Sequence, residues 1–239
     1  MTAQRVAIVT GASQGIGAGI AAAYRASGFA VVGLARDMGA AAAAQDDGLA
    51  AVSGDVADPA TAERAVAVAL ERFGRVDTLV NNAGIFVGKP LLECTREDYD
   101  RITAINTGGF FEMTRRAVAA MLAHGDGGHV VSITTTLVEQ PDARRPAALV
   151  ALTKGGVAAA TRSLAIELAP HRIRVNAVAP GVIRTPLSAG GDEAALAAEH
   201  PLGRIGEVGD IAQAVMYLES ATFVTGEVLH VDGGQAAGR

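Results

Sequence analysis

The chain has 239 residues, half of them hydrophobic, with one cysteine and a formal net charge of −5, which suits one large domain with a sizeable core. No basic cluster accompanies the charge, so nucleic-acid binding is disfavoured, and the apolar runs are too short or interrupted for a membrane span. A lone Cys94 allows no intrachain disulfide, and the first residues, MTAQRVAIVT, lack a signal peptide's design, so a cytoplasmic protein is expected.

The first element is the most informative. Val6 to Val9 reads as a buried strand that breaks at Thr10–Gly11, and a helix over 15–27 follows. Gly11, Gly15 and Gly17 fall in the turn and at the helix start, with Ser13, Gln14 and Ile16 between them. Such a turn lets phosphate oxygens approach backbone N–H groups with no side chain in the way, and the helix N-terminus adds partial positive charge. This is a dinucleotide-binding arrangement.

Further strands are predicted at 30–34, 49–53, 76–80, 129–134, 173–178 and 227–231, several as continuous apolar runs suited to burial on both faces. Helices are predicted at 37–45, 59–73, 96–123, 147–169 and 207–219. The helix at 59–73 is well punctuated, with Asp58 as N-cap, Pro59 in the first turn and Gly74 at the stop. Gly155 and Gly156 inside a helix cost about 1 kcal/mol each relative to alanine, and close packing against another helix would account for them. Repeated βα units predict an α/β fold: one doubly wound Rossmann domain over 1–239, with a seven-stranded parallel sheet and helices on both faces. Residues 184–206 are long for a connection and are expected to form a lid over a ligand. The five histidines show no metal-ligand spacing, so no metal is expected.

Motifs along the whole chain resemble the short-chain dehydrogenase/reductase family, in that family's order. They are Thr10-Gly-x3-Gly-x-Gly17, Asp55-Val56, Asn81-Asn82-Ala83-Gly84, Asn106, Lys154, Pro180-Gly181 with Thr185, the segment PLGRIGEVGDIA, Thr225-Gly226 and Val231-Asp-Gly-Gly234. The resemblance implies that Gly11 to Gly17 cradle a pyrophosphate and that Asp55 and Val56 contact adenine. Asn82, Ala83 and Gly84 would line the adenosine ribose and support the sheet, and Pro180, Gly181, Ile183 and Thr185 would border the nicotinamide and its amide or phosphate. Where an NAD-specific site carries an acid, this chain has Ala35 followed by Arg36. A guanidinium there, helped by Ser13, would hold a 2′-phosphate, so NADP(H) is favoured over NAD(H), although Asp37 is adjacent.

The family's catalytic group is Asn, Ser, Tyr and Lys, with Tyr four residues before Lys, one turn away on the same helix face. The lysine corresponds to Lys154 and the asparagine to Asn106, but Val150 occupies the tyrosine position. The serine position is Thr135, with Thr134 or Thr136 reached by a one-residue slip. Three readings follow. The first is an NADP(H)-dependent oxidoreductase acting on a small carbonyl, imine or activated alkene. Its proton would come from Thr135, from a water ordered by Lys154 and Asn106, or from the substrate. The second is a catalytically weak dinucleotide-binding sensor or oligomer partner, and the third is non-redox chemistry in the same site. Arg144 and Arg145 read as solvated loop charges, with recognition of a substrate carboxylate or phosphate by one of them as the alternative, and Glu139 or Asp142 is a further candidate proton source. The resemblance also implies a homo-tetramer, or a dimer, formed through the helices spanning 96–123 and 147–169.

Overall fold

A computed structural model of the protein describes residues 4–39 and 46–238. Its seven strands are β1 (Val6–Thr10), β2 (Ala30–Ala35), β3 (Leu49–Ser53), β4 (Thr78–Asn81), β5 (Gly128–Ile133), β6 (Ile173–Pro180) and β7 (Val228–Val231). They form one parallel sheet in the order β3-β2-β1-β4-β5-β6-β7. The chain winds outward from β1 to β3, then returns to β4 on the other side of β1. That reversal opens a crevice at the carboxyl ends of β1 and β4, where open α/β sheets bind ligands.

Side-chain alternation divides the core into two layers. Ile8, Val32, Leu79 and Val130 face α2 (Pro59–Phe73), α4 (Gly109–His124) and α5 (Ala148–Leu168), meeting Ala65, Met113 and Ala165. Ala7, Val9, Val31, Val80 and Val131 face α1 (Gly15–Ala26) and α7 (Val208–Ser220), meeting Ile20, Tyr24, Ile211 and Val215. Both faces are covered, which is why these strands read as unbroken apolar runs.

The α2 boundaries match the sequence signals. Asp58 accepts from the Ala60 N–H at 3.0 Å, and Gly74 ends the helix at φ 80°. The helix expected over 96–123 is instead α3 (Arg96–Thr103), a π-helical turn at Ala104–Gly108, and α4. Thr107 Oγ1 donates to the Thr103 carbonyl at 2.6 Å, and Asn106 turns inward from the widened turn. The helix expected at 37–45 lies largely outside the described residues. The segment 184–206 contains a short helix, α6 (Glu193–Ala197), capped by Asp192.

The long apolar helix of the chain is α5, which by length and composition alone would suffice to cross a membrane. Its Val150, Thr153, Lys154, Val157 and Ala165 are buried, while Leu152, Gly156, Ala159 and Ile166 are exposed. A Cβ at Gly156 would meet nothing within 4 Å, and one at Gly155 only Val138 Cγ1 at 3.6 Å. Among the described residues, no helix of this chain provides the close packing expected at these glycines.

Candidate active site

A cleft of about 970 Å³ opens at the carboxyl ends of the strands. The turn after β1 forms one wall. Gln14 precedes α1 without a side-chain cap, and no acid lies in the first turn, so this helix start presents its N–H groups to an anion. Gly11 (φ 67°) and Gly15 (φ 55°) adopt left-handed backbone conformations. A Cβ at Gly17 would lie 2.1 Å from the Gly11 carbonyl oxygen, so this glycine allows the helix to seat on the turn. Gly17 is buried beneath the cleft rather than on its wall, which carries Gly11, Ser13, Gln14, Gly15 and Ile16.

Asn82 lines the cleft and also supports the turn after β1. Its Nδ2 donates to the carbonyls of Thr10 (2.9 Å) and Gly11 (3.3 Å), bracing the glycine turn. Thr10 Oγ1 accepts from the N–H groups of Asn82 and Ala83, at 3.0 and 2.9 Å. The site motifs begin at Thr10, but its role as the clasp between β1 and β4 needs the spatial pairing of those strands. Asp55, Val56, Ala83 and Gly84 line the adjacent wall. Arg36 is exposed at the cleft and has no ion-pair partner among the described residues, while Asp37 turns to the Gly39 N–H at 2.8 Å. An elongated cleft, an uncapped helix start and a glycine turn with no room for side chains fit a dinucleotide.

At the other end, Lys154 is buried, and its Nζ donates to the Ile133 carbonyl at 2.6 Å. Burial pushes its pKa down to about 8. A Cβ at Gly84 would come within 3.2 Å of both Lys154 Nζ and Asn106 Oδ1, so glycine allows these groups to converge. The Asn106 amide is spent on protein partners. Its Oδ1 accepts from Ile85 N (2.9 Å), and its Nδ2 donates to Ile85 O (3.1 Å) and Thr153 Oγ1 (3.2 Å). Behind the cleft, Asn106 and Lys154 border a small cavity of about 10 Å³, at the lower limit of space for one water.

Hydrogen bonding separates the three consecutive threonines. Thr134 donates to Val178 O at 3.0 Å; Thr136 faces the carbonyls of Ala179 and Pro180 and the Asp232 carboxylate. Both are buried. Thr135 accepts from Leu137 N at 3.3 Å, and its hydroxyl proton has no acceptor among the described residues. Thr135 is therefore the hydroxyl donor the cleft offers. Val150 lines the same region one turn before Lys154. Tyr24, Tyr99 and Tyr217 all lie away from the cleft.

The charged loop 139–145 is tied up in ion pairs. Arg144 pairs with Asp142 at 2.6 Å and lies 3.9 Å from Glu199, and Arg145 pairs with Glu199. Both guanidinium charges are thus answered by carboxylates and are not held open for an anionic substrate. The Arg144 guanidinium beside Asp142 holds that carboxyl well below the usual range, so it carries no proton to give. Glu139 lies 3.0 Å from His230 Nε2, and neither acid is on the cleft wall. Pro180, Gly181, Ile183 and Thr185 line the cleft, as do Leu187 and Leu196 of the segment expected to form a lid.

Residues 11–236 match the family model described as enoyl-(acyl carrier protein) reductase. A solved 3-ketoacyl-(acyl-carrier-protein) reductase from Brucella melitensis, complexed with NADH, superposes with a TM-score of 0.91 at 35% identity, over 98% of this chain and 99% of that one. The chain belongs to the short-chain dehydrogenase/reductase family. This short-chain dehydrogenase/reductase is also 39% identical to an uncharacterised oxidoreductase of Methylorubrum extorquens, over 96% of this chain and 97% of the relative. A tyrosine-to-phenylalanine variant of ElxO with NADPH bound is similar at 27% identity and a TM-score of 0.90, covering 98% of this chain and all of that one. The short-chain dehydrogenase/reductase described here is accordingly an enzyme of the oxidoreductase type with a nicotinamide-dinucleotide fold.

Proposed function

We propose that the chain is an NADP(H)-dependent oxidoreductase that acts on a small carbonyl or activated alkene without a catalytic tyrosine. The bound dinucleotide would supply or accept the hydride. The observation that carries the reading is the convergence of a free Thr135 hydroxyl and a buried Lys154 at one end of a dinucleotide-shaped cleft. Thr135 donates to the substrate oxygen as negative charge develops there. Lys154 orients the nicotinamide ribose, and its ammonium supplies a proton by way of a water in the cavity it shares with Asn106. Asn106 is itself held at that cavity by its bonds to the Ile85 backbone and Thr153.

The charges on the cleft wall support this choice of substrate. With Arg145 answered by Glu199, Lys154 is the charged side chain without a carboxylate partner that lines its reacting end among the described residues. A cationic environment stabilises an oxyanion or enolate and opposes an iminium ion. Imines are therefore the weakest of the three substrate classes. Arg36 at the adenosine end supports NADP(H), its guanidinium matching a 2′-phosphate. The fold's relatives include proteins bound to NADH and to NADPH, so the preference rests on Arg36. We further propose a cytoplasmic homo-tetramer or dimer, with 184–206 as the substrate lid.

Val150 favours a second reading, a dinucleotide-binding sensor or oligomer partner. NADPH consumption against aldehydes, ketones, imines and enones, by the native protein and Val150→Tyr side by side, separates the two. Turnover by the native protein establishes an oxidoreductase with a substitute proton route. Silence from the native protein with activity in Val150→Tyr establishes an intact cofactor site whose chemistry has been lost.

A further inference from the structure

His200 is nearly fully buried, 3% exposed, although it sits in the segment expected to be a mobile lid. Its two ring nitrogens are both used. Nδ1 lies 2.9 Å from the Leu196 carbonyl oxygen, and Nε2 accepts from the Val182 N–H at 3.0 Å. A carbonyl on one side and an N–H on the other fix a single neutral tautomer, with the proton on Nδ1.

The ring occupies a slot made by glycines from two strand ends. A Cβ at Gly181 would lie 2.6 Å from His200 Nε2, and one at Gly233 would lie 3.2 Å from His200 Cβ. Pro201 packs next to Gly234, Leu202 N donates to Gly233 O, and Gly203 N to His200 O. The segment behind the slot is held on its other side by backbone bonds between Val182, Arg184 and Gly206. Residues 181–183 are thus clamped between the Gly206 backbone and one imidazole.

We propose that His200 is a positioning residue for the nicotinamide half of the cofactor, acting through Val182. This inference rests on the reading that Pro180 to Thr185 border the nicotinamide. Val182 N–H has a defined acceptor only while His200 is docked. The imidazole thereby sets the backbone path of Gly181 to Ile183 along the cleft wall. The adenosine half would lie toward Arg36 and Asp55, neither of which bonds to His200 among the described residues.

The test is calorimetric titration of the full chain with NADPH and with 2′-phospho-ADP-ribose, which lacks the nicotinamide. His200→Leu keeps comparable bulk without an acceptor, and His200→Gln returns an acceptor oxygen near the Nε2 position. The expected result is roughly five- to tenfold weaker NADPH binding in His200→Leu, the factor of one lost hydrogen bond. His200→Gln stays within about twofold of native, and the fragment binds all three proteins alike. Unchanged NADPH affinity in His200→Leu overturns the proposal. So does equal weakening of NADPH and the fragment, which marks damage to the whole site, and so does a His200→Gln as weak as His200→Leu. A native protein that binds neither molecule overturns the dinucleotide reading itself, a result distinct from each of these.

Discussion

Val150 brings no proton to the cleft, so the proposed chemistry rests on Thr135 and Lys154. Removing one preorganised donor to a developing oxyanion typically costs about 10²–10³ in rate. Thr135→Val should therefore lower kcat by about 10²-fold with NADPH affinity unchanged, measured by steady-state kinetics on the responding substrate. Lys154 gives a pH signature. Its burial-lowered pKa is about 8, so the ammonium form dominates below that pH and the neutral amine above it. If the ammonium supplies the proton, kcat/KM for reduction is flat on the acid side and falls as pH rises through about 8. A profile with no inflection near that pH removes Lys154 from the proton route. The sequence points to Thr135 by its place in the motif, but the reason that Thr134 and Thr136 are not the free hydroxyls was not legible there. That reason lies in the carbonyls of Val178, Ala179 and Pro180 and in Asp232, 96 residues from Thr136.

Elements were legible where their signals are local. Asp58, Pro59 and Gly74 carry the start and stop of α2 in adjacent residues, and the glycine turn announces the switch between β1 and α1. The π-helical turn was hidden, because Asn106 is drawn inward by the Ile85 backbone, 21 positions away. So was a buried polar knot at the amino ends of the strands, which reaches 195 positions from Tyr24 to Glu219. There the Glu219 carboxylate accepts from Tyr24 OH, Thr78 Oγ1 and His129 Nδ1, each at 3.0 Å. Burial pushes the Glu219 pKa up, but the hydrogen bonds from His129, Thr78 and Tyr24 outweigh it and hold the group below its usual value. Burial also lowers His129. Glu219→Leu would strand three buried donors and should cost about 3 kcal/mol in denaturant unfolding. Both folded pKa values are depressed, so both groups contribute stability above their unfolded values. That stability is lost on acidification, beginning below about pH 6.5 for His129 and below about 4.3 for Glu219. Glu219→Leu should show a shallower loss on the acid side. An equally steep profile would mean that the knot is not what titrates.

At the scale of the whole molecule, α5 has two working faces. One carries Val150 and Lys154 into the cleft. The other exposes Leu152, Gly156, Ala159 and Ile166 at spacings of four, three and seven, which place them on one side of the helix. Leu152 is 59% exposed and Ile166 77%, large apolar side chains on this outward side of the helix. Glycine at 156 is costly in a lone helix, and among the described residues nothing beyond its own helix backbone stands within 4 Å of its absent Cβ. A second copy packed against this face would account for both the glycine and the exposed apolar residues. Gly156→Leu tests this, because a Cβ at this position meets nothing within 4 Å among the described residues. Sedimentation at micromolar concentration should find the native chain as a tetramer or dimer and Gly156→Leu shifted to smaller species, with far-ultraviolet circular dichroism unchanged. A native monomer would remove the interface. A variant that assembles as the native chain does would move the interface off α5, and the glycine would then be a plain helix cost that Gly156→Ala relieves by up to about 1 kcal/mol.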